Sequence, residues 1–125
     1  LTPMNTGKVV TMQQMFYDCS GLTSLDLTSL DTRNVMGMSG MFQGCKSLIN
    51  LDLSSLNTQK VTSMNSMFLD CDSLSTLSIG EKFAFVGTYY NLPSDTWYSS
   101  NGTAYISNGN SCTIPSDKAD TYTRK

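Results

Sequence analysis

The chain has 125 residues, of which 39% are apolar and only 14% are charged. This length suits one domain with a modest core, and a net charge of -2 with a pI near 4.7 excludes an electrostatic case for nucleic acid or an anionic membrane. No apolar run approaches the roughly 18 residues of a membrane span, so direct membrane insertion is not expected.

A 26-residue repeat organises the first 80 residues. Its second copy, from Val35 to Leu56, reads V-x-x-M-x-x-M-F-x-x-C-x-x-L-x-x-L-x-L-x-x-L. The equivalent positions include Val9/Val35/Val61, Met12/Met38/Met64, Met15/Met41/Met67, Phe16/Phe42/Phe68, Cys19/Cys45/Cys71, Leu22/Leu48/Leu74 and Leu25/Leu51/Leu77. A fixed period between about 20 and 50 residues is typical of stacked supersecondary units. We therefore expect residues 26 apart to lie above one another in a shared core.

The first coil is incomplete at the start of the sequence. Its residues match the second repeat at Leu1/Leu27, Met4/Leu30, Thr6/Thr32 and Val9/Val35. An open apolar edge is expected at Leu1, Met4, Val9 and Met12, and we predict edge-to-edge self-association there unless upstream coils cover it. The chain is thus interpreted as a fragment of a longer protein.

Within each coil the apolar spacing changes from a helical pattern to a strand pattern. From Val61 the apolar positions are 61, 64, 67, 68, 71 and 74, the spacing of an amphipathic helix. From Leu74 to Ile79 the pattern becomes L-x-x-L-x-I, whose last step of two indicates a short strand. Stacking would align residues 24–28, 50–54 and 76–80 as a narrow parallel sheet. The expected fold is an α/β solenoid with a short parallel strand and a short helix in each coil. Thr32 and Thr58 are expected to supply turn hydrogen bonds.

After Ile79 the repeat ends. Residues 81–125 contain aromatic side chains that have no partner 26 residues away. Asn101-Gly102 lies between Thr96–Ser99 and Thr103–Ile106, which predicts a β-hairpin. Stacked repeats need an atypical terminal unit over the last apolar layer. We therefore divide the chain into an array, residues 1–80, and a β-rich cap, residues 81–125.

The residue types argue against an enzyme. Histidine is absent, which removes Ser-His-Asp and Cys-His catalysis and every His-containing metal site. The chain also lacks a glycine-rich phosphate loop and paired C-x-x-C motifs. We expect no catalytic activity, no cofactor and no metal.

The cysteines of the repeat occupy one interior position. Cys19, Cys45 and Cys71 are expected to be free, buried thiols, because Cys behaves as a small and often buried apolar residue. Neighbouring coils about 5 Å apart would also permit a disulfide. Cys112 lies outside the repeat, and its pairing is left open.

The outward positions of the three strands are the leading candidate for partner binding. They are Ser24, Asp26, Thr28, Asn50, Asp52, Ser54, Thr76 and Ser78. Stacked repeats commonly bind partners across such surfaces, and the alternative is an inert, soluble face. Asp26 and Asp52 would stack about 5 Å apart, which also suits a cation contact or a retaining glycosidase pair. Because the third repeat has Ser78 there, we favour plain solvated carboxylates.

The cap aromatics suggest a second candidate site. Trp97, Tyr98 and Tyr105 could form a platform for sugar rings, because such side chains combine an apolar face with a polar tip. The favoured interpretation is structural: these rings seal the end of the array.

The repeat motif M-F-x-x-C-x-x-L-x-x-L-x-L, followed by D-T-x-x-V or N-T-x-x-V, resembles the BspA-like leucine-rich-repeat surface proteins of bacteria. The nearest branch is the one related to Mycoplasma lipoprotein-associated repeats. The segments Trp97–Tyr105 and Ile114–Tyr122, W-Y-x-x-N-G-x-A-Y and I-P-x-x-K-A-D-T-Y, also resemble the closing segment of such arrays. The resemblance implies a right-handed leucine-rich-repeat array and a surface-displayed adhesion or host-interaction module without catalytic residues.

The expected function is therefore a non-catalytic adhesion module on the outside of a bacterial cell. Its expected partner is a host or matrix protein, or a surface glycan, and the signal and anchor would lie outside this sequence. One alternative is a structural spacer or stalk unit of a larger surface protein. The other is a carbohydrate-binding module that works through the cap aromatics.

Overall fold

The computed structural model describes residues 8–124. These residues contain no helix and six strands: β1 Ser24–Leu25, β2 Asn50–Leu53, β3 Thr76–Ile79, β4 Asp95–Tyr98, β5 Ala104–Ser107 and β6 Asp120–Arg124. The strands form one mixed sheet in the order β1-β2-β3-β6-β4-β5. The predicted α/β solenoid, a leucine-rich-repeat array with a helix in each coil, is therefore wrong, and the fold is β-rich.

The 26-residue period sets the register of the parallel half of the sheet. β2 pairs in parallel with β1 and β3, and Leu51 lies between Leu25 and Leu77. Along β2 the buried Leu51 and Leu53 alternate with the exposed Asn50 and Asp52, as expected for a strand with one face in the core. The predicted parallel alignment is confirmed, with strands shorter than expected.

Left-handed backbone conformations interrupt the segments predicted to be helical. The backbone angle φ is positive at Gln14, Gly40 and Ser66, and again four residues later at Asp18, Gly44 and Asp70. A left-handed residue at such intervals breaks a right-handed helix. The segments instead form consecutive tight turns, in which for example the Met67 N–H donates to the Met64 C=O at 3.0 Å.

Many of the amide groups in these turns bond the neighbouring repeat. The Phe16 N–H donates to the Met41 C=O at 2.8 Å, and the Phe42 N–H donates to the Met67 C=O at 3.0 Å. The same link is made at alternate residues, from Met12 to Gly37, Gln14 to Ser39 and Asp18 to Gln43. Because each backbone N–H is a single donor, a helix and this ladder compete for the same groups. The ladder between repeats is the one that forms.

Equivalent side chains stack through the core as the repeat predicts. The Phe16 and Phe42 rings lie 5.7 Å apart and 2° from parallel, and the Phe42 and Phe68 rings lie 6.0 Å apart at 12°. The thiols form a parallel series, because Cys45 Sγ donates to the Phe16 C=O at 3.2 Å and Cys71 Sγ to the Phe42 C=O at 3.1 Å. All four cysteines are free, although Cys19 is only half-buried.

The cap extends the sheet beyond the repeats. β6 pairs antiparallel with β3, so that the buried Tyr122 lies opposite Leu77. The hairpin predicted around Asn101-Gly102 is present as β4 and β5, and β4 pairs with β6. The proposed boundary at residue 80 therefore falls directly after β3, inside one continuous sheet.

The cap also takes the place of a fourth repeat in the turn ladder. The Ser66 N–H donates to the Tyr89 C=O at 2.8 Å, and the Phe68 N–H donates to the Tyr90 C=O at 2.9 Å. The buried Thr58 Oγ1 accepts from the Ala84 N–H at 2.8 Å. One repeat earlier, Thr32 Oγ1 accepts from the Asn57 N–H at 2.8 Å, so these two threonines bond the following repeat or cap rather than only their own turns.

Arg124 links the last strand to the third repeat through two hydrogen bonds. Its backbone N–H donates to the Ser75 C=O at 2.8 Å, and its guanidinium donates to the Asp72 C=O at 2.8 Å. The guanidinium carbon also lies 5.7 Å from the centre of the Trp97 ring, within the range of a cation–π contact. The cap is thereby tied to the array at the edge of β6.

The predicted open edge lies partly outside the described residues. Leu1 and Met4 are beyond them, Val9 is half-buried, and Met12 is 5% exposed. Within residues 8–124, β1 pairs with β2 alone. Self-association at this edge stays a prediction.

Candidate functional site

The predicted binding residues of the parallel strands lie together on the outer face of the sheet. Six of them are exposed and two are half-buried: Ser24, Asp26, Thr28, Asn50, Asp52 and Ser54, then Thr76 and Ser78. The register places Ser24, Asn50 and Thr76 in one row, and Asp52 beside Ser78. The structure thus brings the strand residues of this set together on one surface, and Asp26, Thr28 and Ser54 lie in the segments that directly follow β1 and β2.

The two carboxylates of this surface hold the bends that follow their strands. Asp26 Oδ1 accepts from the Thr28 hydroxyl at 2.6 Å and from the Thr28 N–H at 3.0 Å. Both hydrogen bonds lower the pKa of Asp26. Asp52 Oδ1 accepts from the Ser54 N–H at 2.9 Å. These are Asx turns, and residues 8–124 hold no group of three or more His, Cys, Asp or Glu side chains suited to a metal ion.

The outer face continues from the array onto the cap. Ser78 Oγ lies 2.8 Å from Thr121 Oγ1, and Thr76 is the register partner of Thr123. Thr121 and Thr123 are exposed, whereas Tyr122 between them is buried. The sequence reasoning missed these two threonines. The alternation of polar and aromatic residues in D-T-Y-T-R indicates a strand with both threonines on one face. It does not indicate which strand lies beside it.

The cap aromatics are divided between the two faces of the sheet. Trp97 is fully buried, and its indole N–H donates to the Pro93 C=O at 3.2 Å. Tyr105 is its cross-strand partner and packs edge-on against the buried Tyr122 at 5.8 Å. Tyr98 follows Trp97 in the strand and therefore points to the outer face, where its register partner is Thr123. The structure does not bring the three predicted rings together as one platform.

Two adjoining depressions lie where the outer face meets the β4–β5 loop. One has a volume of about 560 Å³ and is lined by Tyr98, Ser99, Ser100, Gly102, Thr121 and Thr123. The other has a volume of about 400 Å³ and is lined by Asp52, Ser54, Ser78, Ile79, Ser100, Ala119, Asp120 and Thr121. Because Ser100 and Thr121 line both, we treat these two depressions together and call them the outer-face trough. A third depression, which includes Glu81 and Lys82, adjoins the trough at Ser54 and Ala119.

Hydrogen bonds hold the loop that walls the trough. Asp120 Oδ1 accepts from the Ser100 N–H at 3.3 Å and from the Thr121 N–H at 2.8 Å. The Ser100 side chain is the main cause of the lowered pKa of Asp120, followed by the hydrogen bond from the Thr121 N–H. Within the loop, Asn101 Oδ1 accepts from the Thr103 hydroxyl at 2.8 Å and from its N–H at 3.1 Å. The wall is therefore anchored both to itself and to β6.

The trough is chemically a polar, weakly acidic surface with one aromatic ring. Its lining contains serine and threonine hydroxyls, two carboxylates and the phenol of Tyr98, and it contains no Lys or Arg. Hydroxyls both donate and accept hydrogen bonds, whereas ionised carboxylates only accept. This inventory suits recognition of a polar ligand by hydrogen bonding.

The thiols of the core are poorly suited to reactivity. Burial raises the pKa of Cys45, and it raises the pKa of Cys71 to about 12. The thiolate is the nucleophilic form of cysteine, so both groups are protonated at neutral pH. Burial also raises the pKa of Cys112, whose N–H donates to the Tyr90 hydroxyl at 2.8 Å.

The chain matches a protein family over more than half of its length. Residues 1–81 fit the family described as "Mycoplasma protein of unknown function, DUF285", and the match includes 81 of the 125 residues. No curated protein and no solved structure matches the chain significantly. Among the described residues, no helix is long and apolar enough to cross a bilayer.

Proposed function

The chain belongs to the DUF285 family of Mycoplasma proteins, and we propose that it is a non-catalytic binding module displayed on the bacterial cell surface. Its proposed partner is a host or matrix protein, or a surface glycan. The likeness of the repeat to BspA-like surface proteins supports an extracellular location and an adhesive role. Neither nucleic acid nor the membrane interior is a proposed partner.

One observation carries this proposal: the outer face is a single polar surface that crosses from the repeats into the cap. Asn50 and Asp52 on β2 are followed by Thr76 and Ser78 on β3, and then by the threonines of β6. These side chains are exposed or half-buried. Surfaces built from successive repeats are commonly used for extended contacts with partners.

The chemistry of the described side chains supports a role without catalysis. The carboxylates of Asp26 and Asp52 are engaged as turn acceptors, and Cys45 and Cys71 donate to backbone carbonyls in the core. The chain has no histidine to act as a general base. A catalytic proposal would need a paired nucleophile and base in hydrogen-bond reach.

An adhesion assay tests the proposal against the alternative of a structural spacer. The variant Asp26→Asn/Asn50→Thr/Asp52→Asn alters three outer-face positions and keeps the Asx turns, because an Asn side-chain oxygen still accepts from the backbone. Immobilised wild type and variant are compared for binding to host cells and to extracellular matrix proteins. We expect at least a tenfold loss, since hydrogen bonds to charged groups contribute about 1.5–3 kcal/mol each.

The matched control is Asp70→Asn/Asp72→Asn, which makes the same change of charge in a turn segment of the third repeat, where both residues are exposed. We expect its binding to equal that of wild type. Wild-type adhesion that is unchanged in the outer-face variant would favour the spacer. Absence of any adhesion by the wild type would remove the proposal.

A further inference from the structure

We infer that the outer-face trough binds a neutral oligosaccharide. This inference rests on the proposed function, because it names the chemical class of the partner at the same surface. The trough differs from the predicted platform of Trp97, Tyr98 and Tyr105, because only Tyr98 of these three rings lines it. The shape, the hydrogen-bonding groups, the aromatic ring and the charge of the trough each support it.

The trough is a shallow, elongated depression of the surface. Its two parts have volumes of about 560 and 400 Å³, and both open widely to solvent. It runs along the sheet from Asp52 on β2 to Tyr98 on β4, with the β4–β5 loop as one wall. An elongated site of this size suits a short chain of sugar rings.

The lining offers hydrogen-bonding groups along its whole length. The hydroxyls belong to Ser54, Ser78, Ser99, Ser100, Thr121 and Thr123. Ser78 and Thr121 share one hydrogen bond, and Ser99 donates to Asn101, so these three groups meet a ligand mainly with their remaining acceptor or donor capacity. Asp52 uses Oδ1 for the Ser54 N–H, and its Oδ2 makes no hydrogen bond to the described residues. A carboxylate that accepts from a ligand hydroxyl makes a charge-assisted hydrogen bond, which is stronger than a neutral one. A sugar, with several hydroxyls on each ring, matches this inventory.

Tyr98 supplies the apolar component that a sugar ring also needs. Its side chain is half-buried and lines the trough beside Gly102 and Thr123. An aromatic ring presents an apolar face with a polar tip, so it can cover the C–H face of a sugar while hydroxyls at the edge bond to Ser and Thr. A ligand of hydroxyls alone, without an apolar face, would not use this ring.

The charge of the lining selects for a neutral ligand. Asp52 and Asp120 contribute negative charge and no residue of the two depressions is basic, whereas Lys118 near Asp120 and Lys82 in the adjoining depression lie outside them. Like charges at a binding surface repel each other and so serve to reject wrong partners. Phosphorylated, sulfated and sialylated glycans are therefore disfavoured at this site.

The wall of the trough is already ordered by internal hydrogen bonds. Asp120 holds the Ser100 N–H, and Asn101 holds Thr103 through both its N–H and its hydroxyl. A preformed loop reduces the entropy lost when the ligand binds. Weak hydrogen bonds to sugar hydroxyls can then give measurable affinity.

Ligand-observed NMR with the full chain tests the inference. The probes are three neutral oligosaccharides, mannotriose, cellotriose and N-acetyllactosamine, with 3′-sialyllactose as the anionic comparison. We expect at least one neutral probe to bind with a Kd at or below the millimolar range, and sialyllactose to bind at least fivefold more weakly than that probe. Thr121→Val and Tyr98→Ala should each weaken binding at least fivefold.

Thr121→Val is the decisive variant, because Val keeps the β-branched shape that strands favour and removes only the hydroxyl beside Ser78. The control is Thr62→Val, which removes an exposed hydroxyl outside the trough that donates to the Met36 C=O at 3.1 Å. Thermal melting confirms that each variant is folded. Equal loss in Thr62→Val, absence of binding to every neutral probe, or tighter binding of sialyllactose would overturn the inference.

The experiments distinguish failure of the saccharide inference from failure of the proposed adhesive function. If the Asp26→Asn/Asn50→Thr/Asp52→Asn variant loses adhesion to cells or matrix while no neutral probe binds the wild type, the module binds a protein partner and the saccharide inference fails alone. If neutral probes bind and the trough variants abolish that binding while cell and matrix adhesion is absent, the inference stands and the adhesive role fails.

Discussion

Replacing Phe42 with Ala tests the core stack at its centre. Phe42 is fully buried, with Phe16 at 5.7 Å on one side and Phe68 at 6.0 Å on the other. The two neighbouring rings belong to separate repeats that are tied together by backbone hydrogen bonds. The cavity left by the substitution is therefore held open from above and below.

The cost of this substitution can be worked out from the packing. A buried Phe→Ala change typically costs about 3–5 kcal/mol, from lost burial and from the cavity. Each aromatic pair contributes about 0.5–1.5 kcal/mol beyond burial, and Phe42 belongs to two pairs. Phe16 is 8% exposed, and among the described residues it stacks on Phe42 alone. We therefore expect Phe16→Ala to cost less than Phe42→Ala by about 0.5–1.5 kcal/mol.

Urea denaturation followed by circular dichroism measures both free energies of unfolding. Because small domains are stable by only about 5–15 kcal/mol, Phe42→Ala should shift the midpoint strongly and still leave a folded population in the absence of urea. A cost below about 1.5 kcal/mol for Phe42→Ala would refute the reasoning, since that is less than the burial of one Phe side chain. A larger cost for Phe16→Ala would refute it as well.

Three further predictions follow from single contacts. Gly80→Ala should destabilise the fold by about 1–3 kcal/mol, because an added Cβ would overlap the Ser54 carbonyl oxygen; thermal melting measures this. Thr58→Val should cost about 1–3 kcal/mol in urea denaturation, because the half-buried Ala84 amide of the cap loses its acceptor. Stability should fall as the pH rises from about 9 to about 12, because the unfolded chain releases the Cys71 proton before the folded chain does. Cys71→Ala should make that fall shallower.

Each of these predictions has a matched control. Gly21→Ala adds a Cβ that meets nothing within 4 Å, so its melting temperature should be unchanged or slightly higher. Thr88→Val changes an exposed threonine of the cap and should be close to neutral. Equal effects in a test variant and its control would contradict the contact invoked. An identical pH dependence in Cys71→Ala and wild type between pH 9 and 12 would contradict the role of that thiol.

The strand register could be predicted from the sequence because the repeat shows directly which residues are equivalent. Leu25, Leu51 and Leu77 recur at one interval, and stacking equivalent residues buries all of them at once. The outward residues between them, such as Asn50 and Asp52, follow from the alternation of a strand. The array half of the candidate surface was therefore predicted from pattern alone.

The prediction of helices was wrong because apolar spacing does not distinguish a helix from a series of tight turns. Consecutive turns can bury positions three and four apart just as a helix does. The left-handed residues that separate those turns are glycines in the second repeat, Gly40 and Gly44, but Gln14 and Asp18 occupy the same positions in the first. In the second repeat, two glycines four residues apart indicate that a helix would be interrupted. The other repeats have no glycine at these positions and so give no such indication.

The cap half of the surface depended on a distant pairing. β6 lies more than 40 residues after β3 in the chain, yet it forms the next strand of the sheet. Local alternation places Thr121 and Thr123 on one face but cannot name the strand beside them. The trough exists because this pairing brings Ser100 and Tyr98 next to Ser78.

By itself the sequence determined which side chains share the core and how successive repeats align. Apolar spacing reports burial, and a 26-residue interval reports stacking. The tertiary structure alone decided where the backbone amides find their acceptors and which cap strand completes the sheet. Hydrogen-bond partners between repeats, and between distant strands, are set by competition among all available donors and acceptors in three dimensions, which no local pattern records.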